Sequence, residues 1–296
     1  MTGNYQTADA SGDAWTMMLG DSCERLAEIP DSSVGLSIYS PPFANLYTYS
    51  DSPRDLGNSS GIDEFVEHYQ FIIAEMLRVT MPGRLSAVHC QQLTRTKASF
   101  GYVGLHDFRG DIIRAHMDAG WIFHGEVTID KCPQAQAIRT KSQALMFTTL
   151  NKDSSKTRPA LADYLLLFRK PGDNPTPIDN DVDNELWIEW ARPIWRGIKE
   201  TKTLNHRTAK DDKDERHICP LQLDLIERAV RLWSNRGETV LSPFAGIGSE
   251  GVESVRHGRR FVGVELKPSY WQSACENLRE AERLANEPTL LDGQAS

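Results

Sequence analysis

The stretch Thr239-Val240-Leu241-Ser242-Pro243-Phe244-Ala245-Gly246-Ile247-Gly248-Ser249-Glu250-Gly251 joins a short apolar run to a helical pattern. Gly246, Gly248 and Gly251 match G-x-G-x-x-G, and Glu265 ends the next apolar run. In nucleotide-binding folds such glycines permit a tight turn and close ligand approach, and an acidic residue about 20 positions later accepts hydrogen bonds from ribose hydroxyls. Glycines can also serve only to relieve a strained turn. With strand, turn, helix, strand and acid in this order, the stretch predicts a nucleoside site in an α/β sheet.

The rest of that sheet must precede the turn, because too few residues follow Gly246 to complete it. In a nicotinamide dehydrogenase the fingerprint normally opens the sheet, so the order here looks rotated. Apolar runs predict strands at residues 15–19, 34–39, 84–90, 122–129, 144–150, 164–168, 239–242 and 260–265. Helical periodicity predicts helices near residues 62–80, 105–119, 220–234, 249–257 and 268–286. Between residues 171 and 216 the pattern breaks down, which predicts an insertion or lobe.

A second turn, Ser40-Pro41-Pro42-Phe43, follows the predicted strand at residues 34–39. Two consecutive prolines fix φ and hold the preceding residues outside the helical region, so this turn is rigid and has few N–H donors. Free carbonyls, the Ser40 hydroxyl and the Phe43 ring are the groups that would hold an amino group on a planar base. A proline-capped strand end with a core phenylalanine is the alternative interpretation.

The composition is that of a soluble globular protein. The chain has 296 residues, of which 40% are hydrophobic and 25% charged, with a formal net charge of −8. This fits two domains or one large α/β domain with an insertion, and it excludes disorder and collagen. The apolar runs fall short of the roughly 18 residues that span a bilayer, and the N-terminus lacks a signal-peptide pattern, so we expect a cytoplasmic protein. The five cysteines form no C-x-x-C pair, which predicts free thiols and no metal site.

Positive charge is concentrated in two segments of this acidic chain. Residues 131–170 carry eight basic and two acidic side chains, and residues 192–210 carry six basic side chains and one acidic. Such segments are usually solvated surface loops. The alternative is that both line a groove along a phosphate backbone, where the local field matters more than the net charge.

Taken together, the two turns resemble the motifs of DNA methyltransferases that modify exocyclic amino groups. Ser40-Pro41-Pro42-Phe43 is similar to their (Ser/Asp/Asn)-Pro-Pro-aromatic motif, and residues 242–248 are similar to their S-adenosylmethionine loop, usually D-P-F-x-G-S-G. The catalytic motif precedes the cofactor loop, as in the permuted β group of that family. Similar segments at residues 20–34, 78–85 and 217–225 extend the resemblance over residues 15–130 and 215–285.

The resemblance implies a circularly permuted, Rossmann-like α/β methyltransferase fold with an inserted target recognition region. The expected catalytic part is residues 1–130, and the expected cofactor-binding part of the same domain is residues 216–296. Residues 131–215 are expected to supply the last sheet strands and the basic recognition region, which favours the groove interpretation of the basic segments. The expected partner is double-stranded DNA, the cofactor is S-adenosylmethionine, no membrane is involved, and a homodimer is left open.

The resemblance also implies roles for single residues. A base flipped out of the duplex would stack on Phe43, and Ser40 Oγ and the Pro41 carbonyl would accept its amino hydrogens. Because a neutral hydroxyl is a poor base, the proton is expected to leave into solvent after methyl transfer. The expected catalytic residues are Ser40, Pro41, Pro42 and Phe43. The expected cofactor-binding residues are Asp21, His217, Pro220, Ser242, Pro243, Phe244, Ala245, Gly246, Gly248 and Glu265.

Several residues depart from the family pattern. Ser242 replaces the usual Asp, Ile247 the usual Ser, Ser249-Glu250 the usual Thr-Thr, and Cys219 the usual Lys or Phe, so cofactor affinity is expected to be tuned differently. A leading Ser in the catalytic motif favours N4 of cytosine over N6 of adenine. The alternatives that we retain are an RNA amino-methyltransferase, a catalytically silent DNA-binding protein and a nicotinamide dehydrogenase.

Overall fold

The computed structural model describes residues 6–42, 62–140, 145–179, 181–204 and 220–287. The strands are β1 (Ala8–Ser11), β2 (Trp15–Leu19), β3 (Val34–Tyr39), β4 (Thr80–Gln91), β5 (Leu93–Arg95), β6 (Gly104–His106), β7 (Ile122–Ile129), β8 (Asp163–Arg169), β9 (Ile194–Trp195), β10 (Thr239–Ser242) and β11 (Arg260–Glu265). The helices are α1 (Ser22–Arg25), α2 (Ile62–Val79), α3 (Lys97–Phe100), α4 (Phe108–Asp118), α5 (Pro133–Thr140), α6 (Phe147–Lys152), α7 (Asn184–Trp190), α8 (Leu223–Trp233), α9 (Ser249–Arg256) and α10 (Pro268–Asn286).

Nine of these strands form one sheet in the order β1-β2-β11-β10-β3-β4-β8-β7-β9. The central strands β2, β11, β10, β3 and β4 are parallel, whereas β8 runs antiparallel to both β4 and β7. The carboxyl ends of the parallel strands and the amino end of β8 therefore lie at the same edge of the sheet. The expected α/β fold class, with a mostly parallel sheet, is confirmed.

Helices cover both faces of the sheet, which explains why its central strands are buried. On one face Leu36 and Ile38 of β3 belong to a core with Ile226 of α8 and Leu278 of α10. On the other face Tyr39 belongs to a second core with residues of α2 and α4. A strand buried on both sides needs apolar residues at successive positions, and β3 is buried along its whole length.

The strand predicted at residues 144–150 is wrong. Residues 147–152 form helix α6, and Phe147 and Leu150 are exposed rather than packed in the sheet. Phenylalanine and threonine favour strands, but β7 and β8 are already paired on both of their edges. Neither β7 nor β8 therefore has a free edge with which residues 147–150 could pair. Within the irregular region 171–216, α7 and β9 form, and β9 pairs with β7 as part of the main sheet.

Two sequence-based expectations concern the surface and the thiols. Among the described residues, no helix combines the length and the apolar character that a membrane span requires. The thiols of Cys23, Cys90, Cys132 and Cys275 are free, as expected, and Cys219 lies outside the described residues.

Candidate active site

The strand register brings the two predicted turns to one edge of the sheet. Leu241 of β10 lies opposite Ser37 of β3, and Ser242 lies opposite Gly263 of β11. Both turns therefore leave the carboxyl ends of neighbouring parallel strands. Open α/β sheets bind their ligands at this edge.

The glycine turn has a backbone that requires glycine. Gly246 and Gly248 have φ angles of 53° and 85°, in the left-handed region that side chains rarely adopt. A methyl group added at Gly246 would meet no atom of the described residues within 4 Å, so these residues leave space beside it. Gly248 is followed directly by α9, so the turn presents the amino end of a buried helix.

The Glu265 carboxylate is fixed beside this turn. The backbone N–H groups of Gly246 and Lys267 each donate to it, with N···O distances of 2.8 Å. A carboxylate oxygen can accept more than one hydrogen bond. The Gly20 N–H also donates to the Glu265 carbonyl, which places the turn before α1 next to this residue.

Asp21 and Ser22 connect that turn to the glycine turn. The Asp21 carboxylate caps α1 by accepting from the Cys23 N–H at 2.9 Å. The Ser22 hydroxyl donates to the Pro243 carbonyl from a buried position. Asp21, Glu265 and the Pro243 turn therefore form one continuous cluster at the ends of β2, β11 and β10.

Two polar side chains of the glycine turn are buried, a position that normally demands hydrogen-bond partners. Ser242 is fully buried, and its hydroxyl has no hydrogen-bond partner among the described residues. Glu250 is buried in the first turn of α9, where burial, with a smaller contribution from the Glu265 charge, raises the pKa of its carboxyl to about 8. Glu250 is therefore mostly protonated at neutral pH.

Aromatic rings form the floor under the second turn. The Tyr39 hydroxyl, one residue before Ser40, lies 2.9 Å from the Tyr69 hydroxyl, and the Phe244 ring packs at 5.9 Å from the Tyr39 ring. His116 stacks on Phe168 below them, and its burial lowers its pKa to about 3. These uncharged, packed side chains fix the end of β3 and therefore the position of Ser40.

A chain of polar side chains extends from Ser40 into the protein. Ser40 Oγ lies 3.2 Å from His89 Nδ1, and His89 Nε2 lies 3.1 Å from Asp163 Oδ2. Lys131 Nζ lies 2.7 Å from the same Asp163 oxygen. The side chains of Asp163 and Lys131 are 4% and 1% exposed, so this ion pair is removed from water.

The electrostatics of this chain centre on Asp163. Its burial alone would raise the pKa of the carboxyl, but the hydrogen bond from His89 and the charge of Lys131 outweigh burial and lower this pKa to about 2. Asp163 is therefore ionised at neutral pH, and a carboxylate can only accept hydrogen bonds. His89 Nε2 must then carry the hydrogen, which leaves a lone pair on Nδ1 toward Ser40 in the neutral ring.

Comparison with known proteins identifies the family. Residues 34–276 match the sequence profile of the N6/N4 DNA methylase family. The chain belongs to this family. The matched part of the chain starts at β3, includes both turns and the Ser40–His89–Asp163 chain, and ends within α10.

Three curated relatives are type II methyltransferases. M.BglI of Bacillus subtilis is 32% identical over 117 residues, which are 39% of this chain and 30% of that protein. M.MthZI of Methanothermobacter thermautotrophicus is 25% identical over 136 residues, 42% of this chain and 36% of that protein. The match thus spans 30% and 36% of these two relatives. M.HinfI of Haemophilus influenzae is 22% identical over 311 residues, 93% of this chain and 71% of that protein.

Two solved structures share the fold. A DNA modification methylase from Thermus thermophilus, complexed with S-adenosyl-L-methionine, has a TM-score of 0.66 and 25% identity, over 89% of this chain and 94% of that one. The PvuII DNA methyltransferase, which is cytosine-N4-specific, has a TM-score of 0.65 and 18% identity, with 93% of each chain covered.

The predicted site residues divide into three groups. One group gathers at the sheet edge, namely Asp21, Ser40, Pro41, Pro42, Ser242, Pro243, Phe244, Ala245, Gly246, Gly248 and Glu265. Pro220 is half-buried and precedes α8. Phe43 and His217 lie outside the described residues.

Sequence reasoning missed three residues of the Ser40 chain. His89, Asp163 and Lys131 stand at or just beyond the ends of β4, β8 and β7. Polar residues at the ends of predicted strands were the available signal. Lys131 was counted in the first basic segment, and its assignment to a surface groove is wrong because it is buried against Asp163.

Proposed function

We propose that this protein is an S-adenosylmethionine-dependent DNA methyltransferase that methylates the N4 amino group of cytosine. The observation that carries the proposal is the register of β3 and β10, which sets the Ser40 turn beside the glycine turn at the ligand-binding edge of the sheet. Membership in the DNA methylase family supports the reaction class. The S-adenosyl-L-methionine complex of the Thermus relative supports the choice of methyl donor.

The residues around the glycine turn fit S-adenosylmethionine. Glu265 would accept hydrogen bonds from the ribose hydroxyls, and Asp21, which follows the Gly20 that donates to Glu265, would accept from the adenine amino group. The unpartnered Ser242 hydroxyl and the open space beside Gly246 fit the methionine part. When bound, the cofactor supplies a methyl group on a positively charged sulfur.

Phe244, Pro243, Ala245 and Gly248 complete this binding site in the proposal. Phe244 is half-buried against Tyr39 and Tyr69, so one side of its ring is held while the rest stays accessible. Pro220, which precedes α8, is a further proposed ligand, and His217 is proposed from the sequence motif alone because it lies outside the described residues.

The second turn is the proposed site of the target base. Ser40 is half-buried at the end of β3, and Pro41 and Pro42 continue the turn without N–H donors. A planar base would stack on Phe43 while Ser40 Oγ and the Pro41 carbonyl accept its amino hydrogens. These bonds would direct the nitrogen lone pair at the methyl group, so transfer is a direct in-line displacement.

Cytosine is favoured over adenine because the motif begins with a neutral serine. The same N4 specificity is a property of the PvuII enzyme, whose fold this chain shares. Adenine-N6 methylation uses the same mechanism and is the second candidate, supported by the breadth of the N6/N4 family.

The test is to incubate purified protein with isotope-labelled S-adenosylmethionine and unmodified genomic DNA, and then to identify labelled nucleosides by mass spectrometry. Labelled N4-methylcytosine is expected. Labelled N6-methyladenine would overturn the choice of base but keep the reaction. A preparation that binds S-adenosylmethionine, shown by a rise in melting temperature, but labels no DNA would contradict the proposed function. RNA in a parallel incubation distinguishes an RNA substrate.

A further inference from the structure

The serine–histidine–aspartate chain joins the half-buried Ser40 hydroxyl to a buried ion pair. The members of this chain come from four strands or strand ends. Ser40 follows β3, His89 lies in β4, Asp163 begins β8, and Lys131 is the second residue after β7. Their order is hydroxyl, imidazole, carboxylate and ammonium, with contacts of 3.2, 3.1 and 2.7 Å. In this order the charged end is buried and the neutral hydroxyl faces the proposed base.

The register of the sheet explains why the chain forms. Tyr39 pairs with Val88, so Ser40 and His89 are the next neighbours on adjacent parallel strands. His89 pairs with Leu165, which places Asp163 two residues away on the antiparallel strand β8. Such diagonal neighbours lie within reach of long side chains. Lys131 arrives beside Asp163 because β7 ends opposite the start of β8.

Serine has two hydrogen-bonding states in this arrangement. With neutral His89, the Ser40 hydroxyl donates to Nδ1 and its lone pairs are available to an amino group. With protonated His89, Nδ1 donates to Ser40 instead, and the Ser40 hydroxyl can donate to the His89 carbonyl, which lies 3.2 Å away. The two states of the ring therefore correspond to two contacts that the structure contains.

We propose that His89, acting through Ser40 and oriented by Asp163, receives the proton that the target amino group loses. This inference rests on the proposed function and replaces solvent as the first proton acceptor. His89 and Asp163 are positioning residues, since only Ser40 contacts the base.

Atoms and charges balance in this step. The amino nitrogen forms a bond to the methyl carbon while the carbon–sulfur bond breaks, and the electron pair of that bond stays on sulfur. The nitrogen then carries one hydrogen too many and a positive charge. That proton moves to Ser40 Oγ as the Ser40 hydroxyl proton moves to His89 Nδ1. The products are a neutral methylamino base and an imidazolium whose Nε2–H remains on the Asp163 carboxylate.

The charges around His89 fit a temporary proton acceptor. Among the described residues, the polar groups in contact with it are the Ser40 hydroxyl from β3 and the Asp163 carboxylate from β8, and this carboxylate in turn contacts the Lys131 ammonium after β7. Asp163 stabilises the imidazolium, and Lys131 balances Asp163 when the ring is neutral. The transferred proton therefore enters a site that already holds one negative and one positive charge.

The test measures single-turnover methyl transfer to DNA across about pH 5 to 8, the range in which histidine side chains change charge. Methyl transfer by the parent protein is expected to be slow at low pH and to reach a plateau as the pH rises. We call the rising part of this pH–rate profile the acid limb. The variant is His89→Asn, whose amide oxygen takes the place of Nδ1 as acceptor for Ser40 but cannot bind a proton. We expect its plateau rate to fall about tenfold or more and its acid limb to disappear.

The matched control is His124→Gln, which removes an exposed histidine from β7. It is expected to keep both the rate and the acid limb. S-adenosylmethionine is expected to raise the melting temperature of all three proteins equally, because His89 is not part of the glycine turn. If His89→Asn does not fold, Ser40→Ala takes its place, since loss of the hydroxyl interrupts the same path and should also remove the limb.

Each outcome distinguishes the two proposals. An acid limb that persists in His89→Asn, whatever its rate, assigns His89 a purely structural role and overturns the relay alone. A parent protein that methylates DNA without any acid limb does the same. A parent protein that transfers no methyl group to DNA overturns the proposed function and the relay with it.

Discussion

The buried hydroxyl of Ser242 is best explained by a bound ligand that donates a hydrogen bond to it. It is fully buried with no hydrogen-bond partner among the described residues, a state that costs about 1–3 kcal/mol. The family motif usually has Asp at this position. A ligand that donates to Oγ would recover part of this cost.

We therefore predict opposite effects of Ser242→Ala on stability and on binding. Without ligand the free energy of unfolding should stay the same or rise by up to about 1 kcal/mol, because an unsatisfied group is removed. The affinity for S-adenosylmethionine should fall by about 2- to 10-fold, the equivalent of one net hydrogen bond. Urea denaturation and isothermal titration calorimetry measure the two quantities. Unchanged affinity would show that Ser242 does not contact the ligand.

Glu250 makes stability depend on pH. Its folded-state pKa of about 8 lies above its ordinary value of 4.5, so between these values the folded protein holds a proton that the unfolded chain releases. Stability must therefore fall as the pH rises through this window. Glu250→Gln, of the same size and always neutral, should avoid the loss.

The expected result is that the stability advantage of Glu250→Gln over the parent grows from about pH 5 to about pH 8, by up to about 1.4 kcal/mol per pH unit. Urea denaturation at several pH values measures it. Glu276→Gln changes an exposed glutamate on α10 and should show no such trend. Parallel stability curves for the parent and Glu250→Gln would contradict the assigned ionisation state.

Sequence patterns predicted the residues of the two turns but not the partners behind them. Gly246 and Gly248 were found because only glycine tolerates their φ angles and because their spacing is distinctive. His89, Asp163 and Lys131 carry no local signal of this kind. Their contacts depend on which strands pair and in which register, and long-range pairing is not encoded in short motifs.

At the scale of elements, α9 packs unusually close to the sheet because Gly251 has no side chain. A β-carbon at this position would lie 2.4 Å from Phe261 of β11 and 2.7 Å from Leu278 of α10. The third glycine of the motif thus serves the contact between helix and sheet, as in dinucleotide-binding folds. This contact holds the amino end of α9 beside the glycine turn.

We predict that Gly251→Ala destabilises the protein by about 1–2 kcal/mol, because overpacking outweighs the better helix propensity of alanine. In the double variant Gly251→Ala/Phe261→Leu the smaller leucine side chain leaves room for the added methyl group. The double variant should therefore lose less unfolding free energy than the two single variants lose together. Urea denaturation of the three variants tests this. Strict additivity would show that the cost of the added methyl group does not arise at Phe261.

Elements with a continuous apolar run or a clear helical period were predicted closely, and short elements without either were missed. The predicted strands 15–19, 34–39, 122–129, 239–242 and 260–265 and the predicted helix 268–286 have the observed bounds. Short elements such as β9, with two residues, carry too few positions for a period. Residues 147–150 have strand propensity but form a helix, because propensity is weaker than the availability of a pairing partner.

In the molecule as a whole, the candidate active site and part of the positive charge lie at the same edge of the sheet, where the parallel strands end. β9 runs parallel to β7 and ends beside Ile129, so Arg196 and the chain after it emerge at the edge that carries Ser40. Arg196 and Lys199 are exposed. Of the first basic segment, Lys131 is buried in an ion pair, and Lys170 donates to the Arg78 and Thr80 carbonyls. The second segment is therefore the better candidate for contact with a phosphate backbone.

We predict that Arg196→Ala/Lys199→Ala weakens binding to a mixed-sequence DNA duplex at low salt and leaves S-adenosylmethionine affinity unchanged. Each lost phosphate contact should reduce the slope of log affinity against log salt by about 0.9, so the double variant should lose about 2. Fluorescence anisotropy at several salt concentrations measures the slope. The matched control is Arg236→Ala/Arg260→Ala, which removes two exposed positive charges at the opposite edge, where β10 and β11 begin. An equal reduction of the slope in both double variants would mean that DNA binding depends on the net charge alone and that DNA does not bind specifically at the Ser40 edge.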